Sequence, residues 1–150
     1  MNQEAIMKRK MVSAIIFSII TLIGMLVFIG LYIDETKLVQ QTYKEQYHTS
    51  LKQVSSDITS YLNAEGDKEM RYTRIVSDMS NADSFAFLLQ DFTEKQKIVN
   101  ELSTCLLKYP EQMTEKLSDV QKAVDDMRQD LDKGYEEAQA IVDSVNKKGN

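Results

Sequence analysis

The chain has 150 residues, 43% of them hydrophobic and 27% charged, with one His, one Cys, one Pro and no Trp. A net charge of −5 leaves no electrostatic footprint for nucleic acid, whose phosphates demand a basic face. One Cys excludes an intrachain disulfide, and one Cys with one His cannot assemble a structural zinc site.

The first predicted element is a membrane span. Residues 1–10 form a leader carrying Lys8, Arg9 and Lys10, and 11–33 reads MVSAIIFSIITLIGMLVFIGLYI, without charge or proline. At 1.5 Å rise per residue this run is about 34 Å long, enough to cross a hydrocarbon core of about 30 Å with modest tilt. Asp34 and Glu35 follow at once. Basic residues before the span and acidic ones after it predict a cytoplasmic N-terminus, with 34–150 outside the membrane. Tyr32 falls where an interfacial aromatic belongs, at the outer headgroup level. The run exceeds the h-region of a cleavable signal, and Leu31-Tyr32-Ile33-Asp34-Glu35 offers no small-x-small cleavage site, so the expectation is an uncleaved anchor. Ala14, Ser18 and Thr21 make at most a weak small-residue seam, and Gly24 and Gly30, six apart, form no GxxxG.

Residues 34–150 amount to one domain. Of the 18 Lys and Arg, 15 lie here against 22 of the 23 Asp and Glu, a local charge of −7. Leu38, Tyr43, Tyr47, Leu51, Val54, Ile58 and Tyr61 or Leu62 recur at helical spacing, and nothing before Leu62 forces a break. The span is therefore expected to continue as one helix into the domain. Asn63-Ala64-Glu65-Gly66-Asp67 reads as the first turn.

A second helical stretch over 67–108 carries Met70, Ile75, Val76, Met79, Phe85, Leu88, Leu89, Phe92, Val99, Leu102 and Leu106, with a kink or short break expected at Ser80–Ser84 and both pieces pointing the same way. Pro110 marks the next boundary. The last helix repeats Met113, Leu117, Val120, Val124, Met127 and Leu131 in steps of four and three, then Ala138, Ile141 or Val142, and Val145. Gly134 falls within it, costing about 1 kcal/mol relative to Ala, and reads as a bend or a close helix approach. The external part of the first helix, the middle stretch and the last helix are roughly 45, 60 and 50 Å long. Three comparable rods predict an all-α, extracytoplasmic antiparallel bundle of three long helices, the middle one kinked, with a four-helix variant as the alternative. That topology puts the Leu106–Pro110 turn near the headgroups.

Candidates for chemistry reduce to packing or solvation. His48, beside the stripe, reads as a surface residue, and Cys105, bordering the core, as an inert thiol, with an interchain disulfide as the sharper alternative. Asp125, Asp126, Asp130, Asp132, Glu136 and Glu137 lack calcium-loop spacing and spread around a helix. Tyr43, Tyr47, Tyr61, Tyr72, Phe85, Phe87 and Phe92 read as core around the first helix–helix contact. With no glycine-rich phosphate loop or nucleophile elbow, neither an enzyme nor a cofactor is expected.

The expected role is structural or interactive: a protein anchored in the lipid bilayer that meets another protein, or itself, along the Met113–Leu131 seam. The order of basic leader, membrane helix and helical external domain resembles the start of the sensor half of bacterial chemoreceptors and histidine kinases. That resemblance is one of layout and implies a ligand-binding ectodomain; with no second membrane helix or output domain before Asn150, signalling would pass through a partner. A small bitopic envelope or cell-division component shares the layout, but the turns at Gly66 and Pro110 fold the chain back on itself.

Overall fold

The computed structural model describes residues 3–147, Ala5 by its backbone alone, and among them every regular element is helical. The tips of the predicted leader and domain, 1–2 and 148–150, lie outside the described residues. The elements are α1 (Gln3–Asn63), α2 (Lys68–Leu88), α3 (Thr93–Lys108), α4 (Pro110–Glu115), α5 (Leu117–Gln129) and α6 (Tyr135–Asp143). Two units divide the chain at Val39/Gln40.

The first unit is the N-terminal part of α1. It contains a stretch long and apolar enough to cross a membrane, none of which is buried. Polar groups inside it are satisfied along the helix: Thr21 Oγ1 donates to Phe17 O at 2.9 Å, closing its hydroxyl on the preceding turn.

The second unit begins at Gln40. Tyr47, Leu51, Val54 and Ile58, spaced by four, three and four, are fully buried on one face of α1. Their partners come from helices running in alternating directions. Tyr61 meets Tyr72 edge to face at 6.1 Å, while Gln40 Nε2 donates to Leu88 O at 3.1 Å, so α2 runs opposite to α1. Asn100 Nδ2 donates to Asp83 Oδ2 at 2.8 Å and Tyr72 Oη to Leu106 O at 2.8 Å, so α3 reverses again. Gln121 Nε2 reaches Thr59 Oγ1 at 2.6 Å and Tyr47 Oη reaches Met127 Sδ at 3.8 Å, setting α5 antiparallel to α1. Finally, α6 starts beside Ala123 and Met127, and its far end returns to α4, where Asn146 N donates to Gln112 Oε1 at 2.8 Å.

Three sequence expectations change. The kink expected at Ser80–Ser84 lies inside α2, where Ser84 Oγ turns back to Ser80 O at 2.9 Å and Ala82 and Ala86 are buried. The break falls instead at Leu89–Phe92, and Asp91 takes φ 54, a left-handed conformation that Asp tolerates. The middle stretch is thus a hairpin of two helices rather than one kinked rod.

The last helix is likewise divided. Lys116, at φ −105 and ψ 2, separates α4 from α5 without taking Met113, Leu117 or Val120 out of the core. The true reversal is at Asp130–Gly134. Asp130 Oδ1 accepts from Asp132 N at 3.0 Å, and Gly134 has φ 82. A Cβ at Gly134 would lie 2.3 Å from Ala123 O and 2.9 Å from Met127 N. The glycine is there because the α6 start passes over the α5 backbone with no room for a side chain.

As a result, the Leu106–Pro110 turn moves. The hydrogen bond from Tyr72 to Leu106 sets it at the end of the domain that holds the Asn63–Asp67 turn, opposite Gln40.

Candidate functional site

Lys8, Arg9 and Lys10 lie on exposed turns of α1, as do Tyr32 (72% exposed), Asp34 and Glu35. Between the two charged groups every residue from Met11 to Ile33 is exposed except Gly24, which is half-buried. An apolar surface that surrounds a helix on all sides and meets no protein is what a hydrocarbon solvent accommodates, because the helix satisfies its own backbone. This is the most distinctive chemical feature of the described residues.

The predicted interaction seam has a different fate. Met113, Leu117, Val120, Val124 and Met127 are fully buried, and Leu131 packs against the same core half-buried. Five of the six seam residues are enclosed by the chain's own helices, and Leu131 alone keeps part of its surface exposed. The regularity of the seam reflects a helix enclosed on one side within the domain.

At the Gln40 end of the domain those helices converge on an aromatic group. Phe92 stands edge to face with Tyr47 at 5.6 Å and with Tyr135 at 5.8 Å. The Tyr47 and Tyr135 hydroxyls are 3.3 Å apart. Burial pushes the Tyr47 phenol far above its ordinary range, with a further push from Tyr135, and burial raises Tyr135 to about 12. Both therefore stay neutral at any physiological pH. Lys95 Nζ lies 5.3 Å from the Phe92 ring and 5.5 Å from the Tyr135 ring, donates to Leu131 O at 2.9 Å and pairs with Asp132. Two protonated phenols, a thioether and a paired ammonium make a structural rivet: the group has neither an activated nucleophile nor a base.

The remaining candidates follow their packing. His48 is exposed, beside Lys44, Glu45 and Leu131. Cys105 is 2% exposed and burial raises its thiol, which opposes the thiolate that disulfide exchange requires. Within the acidic run, Asp125 pairs with Arg128 at 3.3 Å, Asp130 with Lys133 at 3.1 Å, and Asp132 with Lys95. Asp130 titrates low because the Asp132 N–H donates to it, with Lys133 adding to the effect. Among the described residues no group of three or more His, Cys, Asp or Glu could hold a metal ion.

Of the predicted aromatic set, Tyr47 and Phe92 are core and Tyr43, Tyr61, Tyr72 and Phe85 pack against it, whereas Phe87 is 72% exposed. Tyr135, central to the rivet, was not among the expected core residues. Its signal lies next to Gly134, which restarts the helix register at Tyr135 and points that ring inward with Ala138 and Val142. Compared with known protein families, with curated proteins and with solved structures, the chain matches none.

Proposed function

We propose that this chain is a single-pass membrane protein whose N-terminus is cytoplasmic and whose acidic helical bundle, residues 34–150, works outside the membrane as a structural or protein-interaction module. The observation that carries this reading is the apolar run Met11–Ile33, exposed at every residue but Gly24 and bracketed by Lys8, Arg9 and Lys10 on one side and Asp34 and Glu35 on the other. Three cations before the run and two carboxylates after it match the charge asymmetry that sets orientation. The bundle supplies shape rather than reactivity: its polar residues pair with one another and bridge helices. Because the Met113–Leu131 seam is enclosed, contact with a protein partner falls to the outer faces of the helices.

Two fractionations test the reading. Alkaline carbonate extraction should leave the chain in the membrane pellet, and protease added to right-side-out vesicles should degrade the domain while the span survives. Release into the supernatant would overturn the anchor, and full protection of the domain would overturn the orientation.

A further inference from the structure

Between Ser84 and Gln90 the sequence carries no charge, although it ends one helix and turns toward the next. Such turns are ordinarily polar. Here the side chains divide. Leu89 and Phe92 go inward, 8% and 7% exposed, while Phe87 stays 72% and Leu88 43% exposed. The turn is held, not loose: the Gln40 side chain donates to Leu88 O at 3.1 Å and accepts from Gln90 N at 2.9 Å. A clamped backbone therefore displays an adjacent Phe and Leu to the surroundings.

Connectivity says which surroundings these are. Gln40 follows Ile33, the last residue of the apolar run, by seven residues, a reach of at most about 25 Å even when fully extended. Asn63, at the other end of the domain's part of α1, lies about 35 Å along the helix from Gln40. Phe87 and Leu88 thus belong to the end of the domain that the chain tethers to the bilayer. A Phe and a Leu held side by side on a clamped backbone gain by leaving water for an apolar phase, and here the nearest apolar phase is fixed by the tether.

We infer that the α2–α3 turn, through Phe87 and Leu88, docks on the lipid surface of the membrane that the span enters. The inference rests on the membrane-anchored reading above. The surface it fits is zwitterionic, because the turn itself is uncharged and Asp91 follows it within a domain of net negative charge.

The absence of tryptophan makes the test direct. Three single-Trp variants of the full chain, Phe87→Trp, Leu107→Trp and Phe28→Trp, are reconstituted into phosphatidylcholine vesicles whose acyl chains are brominated near the headgroup. All three positions are exposed, at 72%, 66% and 75%, so the fold tolerates the change and circular dichroism verifies it. Quenched, blue-shifted emission at position 87 with unquenched emission at 107 is the expected result. Quenching at 28 without quenching at 87 overturns the docking and leaves the anchor intact. Equal quenching at 87 and 107 also overturns it, since the domain then lies on lipid without using this turn. No quenching at 28 removes the anchor and the inference together.

Discussion

The two parts of α1 solve the same problem in opposite ways. From Met11 to Ile33 apolar side chains surround the helix and none is buried; from Tyr47 to Ile58 they occupy one stripe and all are fully buried. A helix apolar all round has no preferred face, so nothing in it specifies a protein neighbour. A stripe specifies one, and the rest of the domain is built to meet it.

The comparison breaks most easily where the domain has least room. Gly134→Ala combines left-handed strain with a Cβ placed against the Ala123 carbonyl, and is expected to cost the domain about 4 kcal/mol in urea unfolding followed by circular dichroism. Leu51→Ala empties a fully buried site and should cost about 3 kcal/mol, whereas Leu26→Ala, 62% exposed, should leave domain stability unchanged. Equal effects of the two leucine changes would erase the distinction between the parts of α1. Leu26→Arg reverses the test: membrane insertion should weaken by about 3 kcal/mol while the domain unfolds as before.

Smaller effects sharpen the picture of the domain. Gln40→Ala removes both side-chain bonds to the α2–α3 turn and should lower stability by about 1 kcal/mol, with amide exchange faster at Gln90. The smallest expected effect is at Asp78. Partial burial, then the hydrogen bond and charge of Asp57, raise its pKa above the ordinary carboxylate value. The folded state therefore holds that proton more tightly than the unfolded state, and this stabilisation is lost as pH rises through the raised value. Asp78→Asn should accordingly gain stability relative to the parent at pH 7 and not at pH 3, as read from paired thermal melts.

The helical class, the long apolar stretch at the N-terminus, the α1 stripe and the turn at Gly66 were all legible because each rests on local composition or on steps of three and four. The hairpins were not. The polar Ser80–Ser84 segment looks like a break, but the Ser84 hydroxyl bonds back within the helix, Asp83 Oδ2 accepts from Asn100, and Ala82 and Ala86 are small enough for α3 to pack close. The real break has neither glycine nor proline, and its backbone is held by Gln40, which is 50 residues from Gln90. Its one local sign is Asp91, which tolerates the left-handed conformation that the turn takes there. Gly134 was visible but ambiguous, because its meaning depends on how near Ala123 lies. The seam was correctly placed as an apolar stripe, yet periodicity alone does not say whether a stripe meets its own chain or another.

The alternating helix directions also set an order of assembly. The pairs α2–α3 and α5–α6 join neighbours in sequence, as do α1 and α2 through Tyr61–Tyr72 and Gln40–Leu88, so they close short loops and form fast. The bonds that seat the C-terminal pair on α1 span much longer separations: 66 residues from Gln121 to Ser55, 80 from Tyr47 to Met127 and 88 from Tyr47 to Tyr135. The Tyr47 face of α1 is therefore fully covered only once Met127 and Tyr135 are in place. The aromatic rivet is then the closing step, and the interval before it is when the chain most needs protection from association with its neighbours.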